Sequence, residues 1–551
     1  MPKTCGAHGL VAALAREGVE VVFGLPGVQV MSAFDGFMRP GSPRLVTVRH
    51  EQATTYMAYG YARTTGKVGV GLVVPGPGAL NAAAGLGTAY SASTPVILVS
   101  GQLVSSGLGQ EKGALHEVSN QLQCFQPITK WSHLVSRPAD VPAAVREAVH
   151  QATSGRPRAV ELEVPWDVMD REEEMELLEP GPPERMEPTE GDVRQAAQML
   201  SAAKRPLIWA GGGVIGAGAW AELTALAVAL NAPVVTTPEG KGAIREDHPL
   251  ALGSAFSSTA PTRLSPAYDI LPKADVVLAV GSRLNFSADS ALAFRKEQKL
   301  VQVDADREEL GRNWPLTLGI QGDARLTLTA LLRSVQGSAG ASAWTTAELD
   351  AARAAARHRL QEAAPLQLQI IDTIRAELSD DAIVVPDVTN IAYYAHVAFP
   401  VLAPRSWVTS SYFVSLGYAF PTALGAKVGN PDKQVVAICG DGGFMFNVQE
   451  LATAVQEGIN VVTLVFNDSA FGATLYDQHV RYDDHVVGTR LHNPDFARLA
   501  EAFGAQGVKL KGPEGLAEAM RSALASNRPT VIDIPMPTLP APFHSTLRRR
   551  M

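Results

Sequence analysis

Asp441 sits in Gly440-Asp441-Gly442-Gly443, directly after the apolar run QVVAIC, and Asp468 closes the next apolar run, VVTLVFND. Between Gly442 and Asn467 lie 24 residues, room for one helical crossover between neighbouring parallel strands. Glycines at a strand end let backbone N–H groups approach an anion closely, and the following helix aims its positive end at it. A diphosphate suits that cradle. Its charge calls for a hard divalent cation, and Mg²⁺ takes oxygen ligands in an octahedron. Asp441 supplies one carboxylate, and Asp468 returns a second to the same sheet edge, where ligands of open α/β sheets bind. A pair of unrelated turn carboxylates is the plainer alternative.

Two further positions carry chemistry. Glu51 follows Arg49-His50 at a strand end and opens an apolar helix; such a residue is commonly only the acid that complements a helix N-terminus. His116, in Gly113-Ala114-Leu115-His116-Glu117, can move a proton at neutral pH, which suits a substrate hydroxyl, while a surface histidine is the ordinary alternative. Ala210-Gly211-Gly212-Gly213-Val214 and Gly281-Ser282-Arg283 are glycine-rich strand ends that serve tight turns as readily as a nucleotide.

These groups need a scaffold that gathers strand ends. VEVVFGLPG reads as strand and turn, EQATTYMAYGYARTTG as a helix, VGVGLVVPGPG as strand and loop, and PVILVSGQ as a strand. That alternation predicts a parallel sheet with helices on both faces. The acidic, proline-broken stretch near residues 170–190 reads as a linker. A second α/β unit follows, with strands at PLIWAGGGV, APVVTT, DVVLAVGS and KLVQVDAD, and a second, small and polar linker over 335–346. The third unit opens with a helix near 350–378 and has strands at AIVVPDV, SWVTSS, QVVAICGDGG, VVTLVFND and PTVIDIPM. The expected fold class is α/β, with three doubly wound parallel-sheet domains over residues 1–172, 190–335 and 350–551.

Composition narrows the possibilities. A chain of 551 residues exceeds what one core serves, and 46% hydrophobic with 19% charged residues excludes a disordered chain. A net charge of −8 gives no broad attraction to nucleic acid or anionic membrane, and the Arg548-Arg549-Arg550 run reads as a solvated tail. No uncharged apolar run is long enough to span a bilayer, and MPKTCGAHGLVAALAREG reads as an amphipathic helix rather than a signal peptide. The three cysteines are widely spaced, which fits a reducing, cytoplasmic location.

With these motifs in view, the chain from about residue 5 to 540 resembles the thiamine-diphosphate-dependent enzymes, in their acetolactate synthase-like branch. The resemblance implies pyrimidine-binding, middle and diphosphate-binding domains in that order. It implies thiamine diphosphate held by Gly440, Asp441, Gly442, Gly443 and Asp468, with Mg²⁺ bound by Asp441, Asp468 and the main-chain carbonyl of Ala470. The family's second Asn is Asp468 here, which adds negative charge. Glu51 falls where the family's glutamate contacts the aminopyrimidine, so that the ring's amine can take a proton from the thiazolium carbon. Leu416 falls at the bulky residue that bends the cofactor, with the Val414 carbonyl and Leu416 N–H on the pyrimidine edge. Val74-Pro75-Gly76-Pro77-Gly78 and Asn81 resemble the loop against the pyrimidine. Thr389 and Asn390, in Asp387-Val388-Thr389-Asn390, fall at the diphosphate contacts, although the family's Gly-Gln-His-Gln is not kept.

The same resemblance bears on the reaction. Phe23–Gly27 opens a loop that turns Val28 and Gln29 toward substrate, and His116 takes a catalytic or orienting place. Val28 replaces the acid of the pyruvate decarboxylases, and their paired histidines are reduced to one. Asp477 stands where acetolactate synthases carry a tryptophan that helps choose the acceptor. The synthases' FAD stretches are replaced by Gly253-Ser254-Ala255-Phe256 and Leu284-Asn285-Phe286-Ser287, so no flavin is assigned. The leading expectation is a decarboxylase or carboligase acting on a small 2-oxo acid or 2-hydroxy ketone. The alternatives are a C–C lyase of the benzaldehyde lyase or 2-hydroxyacyl-CoA lyase type, a flavin-coupled 2-oxo acid oxidase, and a silent assembly subunit. Retention of Glu51, Asp441 and Leu416 together argues against silence. A homodimer or homotetramer with sites at subunit interfaces is expected, with neither nucleic acid nor membrane as partner.

Overall fold

The computed structural model describes residues 3–181, 184–255, 262–286, 292–335, 342–540 and 542. Three parallel sheets account for the strands that matter. The first has six strands in the order Arg44–Thr47, Val21–Gly24, Gly69–Val73, Val96–Gln102, Val160–Pro165, Ser132–Leu134. The second has six, in the order Ala251–Ser254, Val234–Thr236, Pro206–Ala210, Val276–Val280, Lys299–Asp304, Leu318–Gln321. The third has five: Ile383–Pro386, Val435–Gly440, Val462–Asn467, Thr530–Pro535 and Gln506–Lys509. Their central strands are almost continuous Val, Ile, Leu and Ala because helices cover both faces.

Several local expectations need correction. SWVTSS is not a strand: it meets the third sheet through the single bridge Val384 to Trp407 and then leaves it. The 170–190 stretch is not all linker, because Glu172–Glu174 pairs antiparallel with Lys3–Cys5 and ties the N-terminus down. The helix expected near 350–378 is two helices, Thr346–Ala363 and Pro365–Ala376, since Pro365 cannot continue the first. Residues 336–341 of the 335–346 linker, Phe256, Ser287 and the triple-Arg tail lie outside the described residues. The end of that linker is anchored: Trp344 is buried, its indole N–H donates to the Pro206 carbonyl at 2.7 Å, and the Arg205 guanidinium lies 4.6 Å above its ring.

The middle glycines have a packing reason. A Cβ on Gly211 would lie 2.1 Å from the Gly281 carbonyl oxygen, and one on Gly213 would lie 2.6 Å from the Gly281 Cα. Two strand ends therefore touch backbone to backbone, which accounts for both glycine-rich runs without a nucleotide.

The first and third units each have an apolar cluster of their own and share a third. One apolar cluster includes Tyr56, Met57, Ala79 and Leu86 from the first and Tyr418, Phe420, Ala423, Phe444 and Phe496 from the third. Its centre is the crossing of helix Glu51–Thr65 with helix Ala419–Gly429. A Cβ on Gly60 would stand 1.9 Å from the Thr422 carbonyl oxygen, and one on Gly425 would stand 1.9 Å from that of Met57. Glycine is required at both because backbone meets backbone. Gly60→Ala is therefore expected to cost about 2 kcal/mol or more by forcing the helices apart. Gly216→Ala, whose Cβ meets open space in helix Gly212–Ala217, is the matched control and should hold or slightly raise stability. Denaturant titration of the two variants against the parent checks this, and equal midpoints would show that the crossing tolerates a methyl group.

Candidate active site

The third sheet brings Asp441 and Asp468 together. Its two central strands pair with Gly440 opposite Phe466, so Asp441, one residue on, and Asp468, two residues on, leave the same carboxyl edge. A cleft of about 340 Å³ opens there, lined by Thr389, Asn390, Leu416, Gly440–Gly443, Asp468, Ala470 and the segment Met536–Leu539. Three helices begin on its wall: Asn390–Ala398, Asp441–Phe444 and Gly472–Arg481. Their free N–H groups and dipoles favour an anion in the cleft.

The two carboxylates repel each other and are poorly hydrated. Burial raises the Asp441 carboxyl, with the Asn493 amide acting against the rise. Burial and then the charge of Asp441 push Asp468 up to about 6. A Cβ on Gly472 would lie 2.3 Å from Asp468 Oδ2, so that glycine lets the carboxylate reach the start of its helix. The Ala470 N–H donates to both carboxylates, and ladder bonds run on either side of it, from Phe471 N–H to Thr489 O and from Leu491 N–H to Ser469 O. Among the described residues, no group of three or more His, Cys, Asp or Glu is placed to hold a metal. A cation here would use two carboxylates with main-chain and ligand oxygens, a hard donor set.

Sequence reasoning passed over what braces these acids. Asn493 Nδ2 donates to Asp441 Oδ2 at 2.5 Å and to Asn467 Oδ1 at 3.0 Å. Thr538 hydrogen-bonds Asp468, and Asn467 Nδ2 donates to Asp533 at 3.1 Å. The Asn493-Pro494 pair is a turn signal in the sequence and nothing in it points to the metal motif. Asn390 lines the cleft, yet its side chain is engaged elsewhere, donating to the carbonyls of Leu539 and Pro540 and accepting from Gln367.

Behind the cleft, Asp387 is fully buried. Its Oδ1 accepts from Val388 N–H at 2.7 Å and Gly417 N–H at 3.1 Å, and burial pushes its carboxyl up to about 6. One side chain thus ties the Val388–Asn390 wall to the turn after Leu416. Gly417 has φ +77° and passes 2.5 Å, measured from an added Cβ, from the Gly443 carbonyl oxygen, so no side chain fits. Val414 does not line the cleft; it is exposed beside it.

The first sheet gathers a second group. Asn81 Nδ2 donates to Glu51 Oε2 at 3.1 Å, and Gly78, next to Pro77, passes close to the Glu51 carboxyl. Gly76 has φ +58°, and a Cβ there would meet the His116 carbonyl oxygen at 2.4 Å. Gln29 is buried, and its Nε2 donates to Leu115 O at 3.3 Å. Gln29 Oε1 and His116 Nδ1 are buried without a hydrogen-bond partner among the described residues. Within one chain, these residues and the cleft are two surfaces, since the cleft is lined by residues 388–539 only.

Fold and site together match one family along the chain. Residues 4–124 match the thiamine pyrophosphate enzyme N-terminal TPP binding domain, 193–331 the central domain and 387–534 the C-terminal TPP binding domain. The chain belongs to the thiamine pyrophosphate enzymes, in the acetolactate synthase-like branch. It is 36% identical to a protein of Pseudomonas aeruginosa named probable 2-ketoarginine decarboxylase, over 96% of this chain and 93% of that one. It is 32% identical to the probable acetolactate synthase large subunit of Methanocaldococcus jannaschii (96% and 91% covered) and 32% identical to the acetolactate synthase isozyme 3 large subunit of Escherichia coli (97% and 95%).

Asn493→Ala leaves both carboxylates and removes their brace. Thiamine diphosphate affinity measured by calorimetry with Mg²⁺ present is expected to fall about 10- to 100-fold, with the melting temperature of the apoenzyme little changed. An unchanged affinity would show that the amide does not orient the carboxylates.

Proposed function

We propose that this enzyme is a Mg²⁺-dependent thiamine diphosphate decarboxylase or carboligase acting on a small 2-oxo acid or 2-hydroxy ketone. The observation that carries the reading is the pair of mutually repelling carboxylates, buried Asp441 and half-buried Asp468, at a cleft where three helices begin. Oxygen ligands, excess negative charge and free N–H groups fit a divalent cation at Asp441 and Asp468 with a diphosphate beside it. On this reading Thr389, Asn390 and Gly440–Gly443 would hold the diphosphate by main-chain groups, and the Ala470 carbonyl would join the cation. Leu416 would pack against the cofactor, with the Val414 carbonyl toward its pyrimidine. Glu51, oriented by Asn81 beside Pro77, would hold the pyrimidine by a ring nitrogen. When bound, thiamine diphosphate supplies a nucleophilic carbon and an electron sink for loss of CO₂ or cleavage of an adjacent C–C bond.

The substrate side falls to Gln29 and His116. Of their unpartnered buried atoms, Gln29 Oε1 can accept from a substrate hydroxyl, and His116 Nδ1 can accept from or donate to one according to its tautomer. The relatives' names include both a 2-oxo acid decarboxylase and carboligases. Asp477 weighs against acetolactate synthesis itself and for a related carboligation or C–C lyase reaction: it lies 3.3 Å from Arg481 on helix Gly472–Arg481, where the resemblance places the synthases' acceptor-choosing tryptophan. A screen of 2-oxo acids and 2-hydroxy ketones with added thiamine diphosphate and Mg²⁺, following CO₂ and ligated products, tests the reading. Absence of turnover on every member, by protein that binds the cofactor, would reject it.

We further infer that the site is completed by a second copy of the chain. The boundaries 1–172, 190–335 and 350–551 put Glu51 and Asp441 in different domains, and within one chain Glu51 does not line the cleft. Val28, Leu80 and Leu115 around the first surface, and Tyr412, Val414, Met445 and Phe446 around the second, are large, apolar and exposed, which supports mutual cover in a dimer or tetramer. Mixing Glu51→Ala chains with Asp441→Ala chains is the test. Each mixed dimer would concentrate both lesions in one site and restore at most about half of wild-type activity per dimer. Chain exchange without recovery of activity would overturn the shared site.

A further inference from the structure

Glu450 opens helix Glu450–Glu457 and is completely buried, and among the described residues no guanidinium or ammonium lies within ion-pair distance of it. Its Oε1 and Oε2 accept from the Arg49 N–H at 3.1 and 3.2 Å. The His50 N–H also donates to it, and the Thr453 hydroxyl donates to Oε2 at 2.6 Å. The Arg49 guanidinium turns away to Gln456 Oε1 at 2.6 Å. Burial pushes the Glu450 carboxyl up to about 7, with its hydrogen bonds acting against the rise.

A buried acid without a cation is costly, and an apolar residue of similar size would suit a purely structural contact better. What the acid holds is the turn that delivers Glu51. Val48 N–H still bonds to Gly24 O at the end of the strand, His50 caps the helix through its Nδ1 to Gln52 N–H, and Glu51 is the first helical residue. Gln52, on the other side, donates to Phe446 O and Asn447 Oδ1. The Arg49–His50 backbone on one side of Glu51 and the Gln52 side chain on the other are thus held by residues 446–450, while the Glu51 carboxyl accepts from Asn81.

We propose that Glu450 is a positioning residue for Glu51, its two carboxylate oxygens fixing the Arg49–His50 backbone from which the Glu51 side chain is aimed. The inference rests on the role given to Glu51 above. Only a carboxylate can accept from two backbone N–H groups and a hydroxyl at once with both oxygens. Glutamine keeps the shape but turns one acceptor into an NH₂ facing the same donors. Because misplacement by about 1 Å can cost about 100-fold in a reacting geometry, the effect should fall on proton transfer rather than on cofactor binding.

The experiment compares E450Q, E450D and E51Q with the parent. In the apoenzymes, amide hydrogen exchange of the peptide carrying residues 48–52 should quicken in E450Q and leave the peptides of the middle domain unchanged. In the holoenzymes, saturated with thiamine diphosphate and Mg²⁺, exchange of the thiazolium carbon proton followed by NMR should slow about 10- to 100-fold in E450Q, and less in E450D, at nearly unchanged cofactor affinity. If E450Q does not accumulate as folded protein, E450D carries the same readouts. Wild-type proton exchange in folded E450Q or E450D, alongside slow exchange in E51Q, overturns the inference and leaves the reading of Glu51 standing. Wild-type exchange in E51Q removes that reading and the inference with it.

Discussion

The crossing of helices Glu51–Thr65 and Ala419–Gly429 is the contact on which the site depends. Gly60 and Gly425 bring two backbones to contact distance, so the first and third sheets share one core and cannot shift independently. The N-terminal end of the first helix carries Glu51, and the second follows directly on Leu416 and Gly417. Polar contacts then lock the ends that packing has brought near. Asn447 donates to the Gly417 carbonyl at 2.7 Å and accepts from Gln52, so the turn after Leu416 and the side chain next to Glu51 share one amide. Packing sets the distance between the two surfaces, and directional hydrogen bonds set their orientation.

The cleft is built with its charges out of balance. Asp441, Asp468 and, behind them, Asp387 are all raised by burial, while three helix starts and the Ala470 amide supply positive potential beside them. On the proposed reading, a cation and a diphosphate together would offset both sets of charges, and either one alone would leave a mismatch, so their uptake would be cooperative.

What could be read from the sequence was whatever depends on neighbours in the chain. The glycine cradle, its helix and Asp468 at the end of the next strand are fixed by short-range periodicity and spacing, and they meet as that spacing implies. The alternating strands and helices likewise announced three parallel sheets. Groups remote in sequence were not legible: Asn493 and Thr538 reach Asp441 and Asp468 only because a loop and a terminal segment fold over the edge. SWVTSS has the β-branched and aromatic character of a strand, but beyond Trp407 it turns away to carry Leu416 to the cleft. Nor could periodicity reveal the shared core. The buried side of helix Glu51–Thr65 looks the same whether it packs on its own sheet or on a helix from the far end of the chain.

The middle unit, with its own core, is inserted between two halves of a single packed body. Helix Glu51–Thr65 finds its partner at Ala419–Gly429, more than 350 residues later. During synthesis at roughly 5–20 residues per second, the apolar face around Gly60 must therefore wait roughly 20–70 s for the surface that covers it. Throughout that interval the nascent chain presents Tyr56, Met57 and the neighbouring glycine groove to water, which makes its first third a client for chaperones at the ribosome.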